Sequence, residues 1–98
     1  VTLYWQPATS LAAPYSSYVH VVTQDGSVPW PGSDHRPGGD YYPATLWQVG
    51  EVIRDEHVIA LPEEADAGHY RLIAGMYMFP SLEPLGQAIE LGPLLVGR

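Results

Sequence analysis

The chain has 98 residues, 46% of them apolar and 15% charged, which is typical of a globular domain and excludes a disordered segment. Four Lys and Arg against eleven Asp and Glu give a formal net charge of -7, which opposes binding to nucleic acid and to anionic lipid. No apolar run approaches the roughly 18 residues needed to cross a bilayer, so we expect no direct membrane insertion by this fragment.

The length suits one domain spanning residues 1–98. There is no cysteine, which excludes a disulfide framework, a thiolate metal site and a cysteine nucleophile. Val1 already lies inside a strand-like pattern, so we expect the chain to be a piece of a longer protein.

Strand-like patterns begin at the amino terminus. "VTLYWQ", residues 1–6, alternates in the two-residue period of a half-buried strand. "YSSYVHVVTQDG", residues 15–26, is rich in Tyr, Val and Thr and ends on Asp25-Gly26, a strong turn signal. The following segment, Ser27–Thr45, is rich in Pro and Gly and predicts a loop with an edge strand at its start.

The second half of the chain predicts further strands. A long strand over Glu51–Leu61 is followed by a Pro and an acidic turn, and His69–Phe79 shows the clearest alternation. A last strand over Gln87–Gly97 is interrupted at Gly92-Pro93, where we expect a bulge or a kink at a sheet edge. Helical spacing is absent beyond about two turns. The prediction is therefore an all-β, immunoglobulin-like antiparallel β-sandwich of about seven strands.

The segment Asp66-Ala67-Gly68-His69-Tyr70 has the D-x-G-x-Y form of a tyrosine corner. In that motif a tyrosine near the start of a strand donates a hydrogen bond to nearby backbone. The alternative is an ordinary turn followed by a tyrosine. The cysteine pair of antibody domains is absent, so the similarity concerns architecture and not immune function.

The segment Asp55-Glu56-His57 places three polar residues in a predicted strand. Because side chains alternate along a strand, Asp55 and His57 share the face of Ile59, and Glu56 shares the other face with Arg54. An Asp55–His57 pair is suited to cap the core, and a His oriented by a carboxylate is also a candidate general base. No serine nucleophile motif and no second carboxylate at a defined spacing accompany it, so we predict no catalytic residue and no enzymatic activity.

The histidines and loop carboxylates do not predict a metal site. The four histidines lack H-x-H and H-E-x-x-H spacing, and the loop aspartates lack the D-x-D-x-D-G spacing of a calcium loop. His20 and His57 would meet only if their strands paired. We therefore predict no metal and no other cofactor.

Seven Tyr and three Trp are many for a chain of this length. Four aromatic residues cluster around the long loop, namely Trp30, Tyr41, Tyr42 and Trp47. Flat rings on loops above a sandwich are able to stack on sugar rings, so these four are candidate ligand-binding residues. The alternative is that the rings cover the open end of a small core.

Four segments together resemble a pattern of bacterial multi-spanning membrane proteins of the glycosyltransferase type that use lipid-linked sugars. They are "VTLYWQ", "YVHVV" with the following "TQDG", "YYPATLWQVGEVIRDEHVIALP" and "AGHYRLIAGMY". The matched positions include Tyr42-Pro43, Trp47, Gly50-Glu51 and Asp55, and the match spans nearly the whole chain.

In that family a β-sandwich follows the membrane helices. The resemblance therefore implies an extracytoplasmic C-terminal accessory domain, tethered to the membrane through its parent protein, with any catalysis in the membrane portion. It assigns no catalytic role to the matched positions.

Three functional hypotheses follow. The first is a non-enzymatic accessory or interaction domain of a larger cell-envelope protein, a membrane glycosyltransferase if the resemblance holds, with the rest of the parent protein as its partner. The alternative is a carbohydrate-binding module that contacts a glycan through the loop aromatics. The third is a small hydrolase or metal site built on Asp55, His57 and His20. We favour the first.

Overall fold

The computed structural model describes residues 1–28, 30, 32–39, 41–61, 66–78 and 81–96. Within these ranges the chain forms six strands and one 3-10 turn over Ala44–Leu46. The strands are β1 (Thr2–Trp5), β2 (Tyr15–Val22), β3 (Ser33–His35), β4 (Ile53–Glu56), β5 (Gly68–Met78) and β6 (Ile89–Val96). They form a two-stranded sheet, β1-β4, and a four-stranded sheet in the order β3-β2-β5-β6, with every pair antiparallel. The predicted all-β antiparallel sandwich is confirmed, with six strands where about seven were expected.

The core lies between the two sheets. Val19 points inward from β2, and Ala74 and Met76 point inward from the neighbouring β5; all three are buried. From the other side, Ile53 of β4 and the ring of Trp47 pack into the same cluster as Met76. A second buried cluster contains Val21 of β2 and Tyr70 of β5, so alternation along these strands supplies both clusters.

Two strands differ from the prediction by more than two residues in their bounds. β4 ends at Glu56, not at Leu61; among the described residues its one strand partner is β1, which is four residues long. The pairing extends one residue further, where the backbone N–H of His57 donates to Val1 O at 2.8 Å and the Val1 amine donates to His57 O at 2.9 Å. The edge strand expected at the start of the Pro- and Gly-rich segment is β3, which lies in its middle.

The carboxyl-terminal half follows the prediction closely. β6 is interrupted at Leu91, which has no partner in the register between Glu90 and Gly92. The irregularity predicted at Gly92-Pro93 is thus confirmed one residue earlier. Pro62, Phe79 and the first three residues of the acidic turn predicted at residues 63–68 lie outside the described residues.

The tyrosine corner is confirmed. Tyr70, near the start of β5, is buried, and its hydroxyl donates to the backbone O of Asp66 at 2.7 Å. This bond joins the segment that precedes β5 to the third residue of that strand.

Candidate functional site

Alternation along β4 separates the three polar residues as predicted. Asp55 and His57 point inward and are 2% and 1% exposed. Glu56 points outward and forms a surface ion pair with Arg54. The apparent triple cluster is therefore an inward pair with one neighbour on the opposite face.

In the structure, the Asp55–His57 pair has four further partners, which the sequence did not predict. We call the whole group the polar cluster; its members are Trp5, Ser17, Ser33, His35, Asp55 and His57. Trp5 lies on β1 and Asp55 on β4 of the small sheet, whereas Ser17 lies on β2 and the remaining two partners lie on β3 of the large sheet. The polar cluster therefore joins the two sheets through side-chain hydrogen bonds.

The Asp55 carboxylate accepts hydrogen bonds from four side chains. Oδ2 accepts from Trp5 Nε1 at 2.8 Å and from Ser17 Oγ at 2.6 Å. His57 Nε2 lies 3.0 Å from the same oxygen, and His35 Nε2 lies 2.5 Å from Oδ1. A carboxylate oxygen offers about two lone-pair sites, so donors within the protein fully occupy Oδ2, and His35 occupies one of the two sites of Oδ1.

Both ring nitrogens of His57 are also occupied. Nε2 lies 2.9 Å from Ser17 Oγ, and Nδ1 lies 2.7 Å from Ser33 Oγ. Since the Ser17 hydroxyl donates to Asp55, it accepts from His57, which places a proton on Nε2 and leaves Nδ1 free to accept from Ser33. A neutral His57 ring in this network carries its proton on Nε2, where Ser17 Oγ and Asp55 Oδ2 share it.

Burial and hydrogen bonding act on Asp55 in opposite directions. Burial alone would raise the pKa of the carboxyl, but the hydrogen bonds from Ser17, Trp5, His35 and His57 outweigh it, and the pKa lies below its ordinary value. Asp55 is therefore a buried carboxylate that stays ionised at neutral pH because its neighbours solvate it.

The polar cluster contains Ser, His and Asp, but not in the arrangement of a catalytic triad. In a triad the nucleophile and the carboxylate lie on opposite ring nitrogens. Here Ser17 and Asp55 both lie at His57 Nε2, and the Ser17 hydroxyl donates directly to Asp55. Ser17 is also 0% exposed, so its oxygen cannot be reached by a substrate.

His35, Asp55 and His57 form a donor set of the kind that zinc accepts, with ligand atoms within 4.8 Å of one another. The two imidazoles, however, are stacked, with centroids 4.0 Å apart and planes 13° from parallel. Their Nε2 atoms therefore point side by side toward the carboxylate, where they act as donors, and do not converge on one point. The described geometry is that of two histidines bonded to one aspartate, and coordination would require one ring to rotate.

The structure separates the predicted loop aromatics. Trp47 is 5% exposed and lies in the core, so it is not available to a ligand. Trp30 packs against Tyr70 with ring centroids 5.0 Å apart, and Tyr42 packs against the Trp47 cluster and donates to Glu51. Only Tyr41, at 99% exposure, stands in solvent. Trp30, Tyr42 and Trp47 therefore lie as the alternative interpretation of the sequence predicts, with their rings against or within the core.

His20 does not meet His57. It lies on the outer face of β2 and its Nε2 is 3.0 Å from Asp34 Oδ1, whereas His35 is the histidine that stacks on His57. Little in the sequence indicated the His35–His57 contact. This contact depends on β3, a strand of three residues within a Pro- and Gly-rich segment.

Comparison of the chain with protein-family models, with curated proteins and with solved structures finds no match. In the part of the chain that the structure describes, no helix has the length and apolar character needed to span a membrane.

Proposed function

We propose that the chain is a non-enzymatic accessory or interaction domain of a larger cell-envelope protein. The observation that carries the proposal is the closure of the polar cluster: Ser17, Asp55 and His57 are each at most 2% exposed and are bonded to one another. The groups most able to do chemistry are thus used to join the sheets.

Catalysis requires a group that reaches the substrate with a free lone pair or a transferable proton. The carboxylate of Asp55 has four donors, and the Nδ1 of His57 faces Ser33. His35, with a side chain 40% exposed, is the member of the cluster that touches solvent most, and its Nε2 is bound to Asp55. A substrate at the surface would therefore meet the edge of one imidazole.

The sequence resemblance supports the setting of the domain. It favours an extracytoplasmic position next to the membrane portion of a glycosyltransferase. A carbohydrate-binding module built on the loop aromatics has less support. Trp47 is in the core, Tyr42 packs against the cluster that contains Trp47, and Trp30 packs against the cluster that contains Tyr70.

An activity screen tests the non-enzymatic assignment. The purified chain is incubated with chromogenic esters, phosphate esters and glycosides, and we expect no turnover above the buffer blank. Turnover that scales with protein concentration and disappears in Asp55→Asn would overturn the proposal. Ser33→Ala, which removes only the partner of His57 Nδ1, serves as a second variant if Asp55→Asn does not fold.

A topology experiment tests the setting separately. Alkaline phosphatase, which is active only outside the cytoplasm, is fused after the domain in the full-length parent protein. We expect phosphatase activity. Fluorescence from a green fluorescent protein fused at the same point, without phosphatase activity, would place the domain in the cytoplasm and contradict the proposal.

A further inference from the structure

The outer face of the large sheet carries a second group of polar and aromatic side chains. Alternation places Tyr18 and His20 of β2 and Tyr77 of β5 on this face, away from the core. The strand register sets Tyr18 opposite Asp34 of β3 on one side and opposite Gly75 of β5 on the other. Residues from three strands therefore converge on one surface.

Gly75 allows the Tyr18 ring to lie close to the backbone of β5. A Cβ built at Gly75 would lie 2.5 to 2.8 Å from the hydroxyl, Cζ and Cε1 of Tyr18, which is closer than atoms can approach. A side chain at this position would push the ring away from the sheet. One face of the ring is thus held against the strand.

Three rings follow one another across this surface. The centroids of His20 and Tyr18 are 4.7 Å apart with planes tilted by 32°, and those of Tyr18 and Tyr77 are 6.1 Å apart with planes tilted by 36°. At 4.7 Å the His20 ring overlaps the Tyr18 ring, because rings lying side by side at normal contact distance need about 6 Å between centroids. The Tyr18 and Tyr77 rings are far enough apart to lie side by side, and these two rings form a shallow platform.

Asp34 is fixed beside this platform. Its Oδ2 accepts from the Tyr77 hydroxyl at 2.8 Å, and its Oδ1 lies 3.0 Å from His20 Nε2. The Asp34 side chain is 37% exposed, and each oxygen retains a lone pair for a further donor. Burial and then the proximity of Asp34 raise the pKa of Tyr18, so its hydroxyl remains a proton donor at neutral and mildly basic pH.

Apolar side chains form the opposite wall. The outer groove has a volume of about 380 Å³ and is lined by Tyr18, His20, Asp34, Ile73, Tyr77, Leu82 and Pro84. Leu82 is 63% exposed and has a φ of 61°, a left-handed conformation that is costly for a residue with a side chain. Such strained positions are concentrated at binding sites, and here the strain holds a leucine at the rim.

We propose that the outer groove binds a neutral pyranose oligosaccharide, whose rings stack on Tyr18 and Tyr77 and whose hydroxyls donate to Asp34. This inference rests on the proposed function, in which the chain is an accessory or interaction domain, and it names a class of ligand that binds away from the loop aromatics. The Asp34 carboxylate in the lining of the groove and the net charge of -7 oppose uronic acids and phosphorylated sugars.

The geometry favours a sugar over a cation. A cage for an ammonium or guanidinium group surrounds the charge with ring faces that point to one centre. In the outer groove the rings of Tyr18 and Tyr77 are only 36° from parallel, and the Asp34 charge already has two donors. The flat faces of the tyrosine rings match the C–H face of a pyranose, and the oxygens of Asp34 are able to accept hydrogen bonds from its hydroxyls.

The test is a titration with soluble hexasaccharides of glucose, mannose and N-acetylglucosamine, followed by amide shifts in two-dimensional NMR and by calorimetry. We expect at least one series to bind, with shifts centred on β2, β3 and β5 around the outer groove. Tyr18→Ala and Tyr77→Ala should each weaken binding about tenfold or more, which is roughly 1.4 kcal/mol. Gly75→Ala, which keeps both tyrosines but displaces the Tyr18 ring, should weaken it as well.

Tyr41→Ala is the matched control, because its ring is 99% exposed and lies outside the groove. Absence of binding by all three series, shifts that map elsewhere, or equal losses in Tyr41→Ala and Tyr18→Ala would overturn the saccharide site. Salt-sensitive binding of a lysine-rich peptide, without saccharide binding, would reassign the groove to a cation. Chromatography of the same mixtures would detect shortened sugars and so test the non-enzymatic assignment. Failure of the saccharide site and failure of the proposed function are therefore distinguishable.

Discussion

Asp55 is an ionised residue held between two sheets by donors from both of them. Removing one partner of a buried ionic network leaves the other groups unpaired, which typically costs about 3 to 5 kcal/mol. The same strand offers an internal comparison, because Glu56 is adjacent in sequence but points into solvent. At the scale of single residues, the contribution of a carboxylate to stability therefore depends on whether it lies on the inward or the outward face of its strand.

We expect Asp55→Asn to lower the free energy of unfolding by about 3 kcal/mol. The amide nitrogen would face groups that now donate to an oxygen. The matched control is Glu56→Gln, which breaks only the exposed ion pair with Arg54 and should cost about 1 kcal/mol or less. Urea denaturation followed by tryptophan fluorescence measures both values, and similar losses in the two variants would contradict a structural role for Asp55.

The lowered pKa of Asp55 predicts loss of stability in acid. Its folded-state pKa lies below the unfolded value of about 3.9, so its contribution is present above that pH and is lost as the pH falls through the folded-state pKa. We expect the free energy of unfolding to fall more steeply below about pH 4 in the wild type than in Asp55→Asn.

Asp25 does not disturb this comparison. Hydrogen bonds from Thr23 and Ser27 lower the pKa of Asp25 to about 2, but this residue is present in both proteins. Parallel acid profiles for the wild type and Asp55→Asn would show that another group is responsible for the acid sensitivity.

At the scale of elements, the tyrosine corner at the start of β5 is a local bond with a measurable effect. Tyr70→Phe keeps the buried ring and removes only the hydroxyl that donates to Asp66 O. We expect a loss of about 1 kcal/mol in the free energy of unfolding. Tyr41→Phe, at a fully exposed position, should change it by less than about 0.5 kcal/mol, and an equal effect of the two changes would rule out the corner bond as the cause.

The sequence predicted features that depend on periodicity or on one local motif. Alternation separated Asp55 and His57 from Glu56, and the D-x-G-x-Y form gave the corner at Tyr70. Ser17 shared the inward face of β2 with Tyr15 and Val19, and a serine between these two residues was the available signal that a buried polar partner exists.

Features that depend on strand pairing were not predictable. The polar cluster forms because β1 pairs with β4 and because β3 sets His35 opposite Ser17. Neither register is encoded in the alternation of a single strand. The outer groove was missed for the same reason, since Asp34 and Gly75 reach Tyr18 only through the registers of β3 and β5.

At the scale of the whole molecule, the two sheets differ in the extent of their pairing. β2 and β5 pair over eight residues at the centre of the large sheet, whereas β1 and β4 pair over four. The polar cluster supplies part of the attachment between the sheets. We therefore expect local opening of the small sheet to require less free energy than global unfolding.

Native-state hydrogen exchange tests this expectation. Amides of β2 and β5 should exchange most slowly, and those of β1 and β4 faster. In Ser33→Ala the protection of β1 and β4 should fall more than that of β2 and β5, because the lost bond belongs to the polar cluster that joins the sheets. Uniform loss of protection would mean that the two sheets open as one unit.

The large sheet also ends in two strands that are poor templates for further pairing. β3 has three residues, and β6 contains Pro93, which has no N–H to donate, beside the irregularity at Leu91. Open sheet edges of regular geometry recruit strands from other molecules and begin fibril growth. At high protein concentration the domain should therefore resist edge-to-edge aggregation, although both edges of the large sheet lack a strand partner among the described residues.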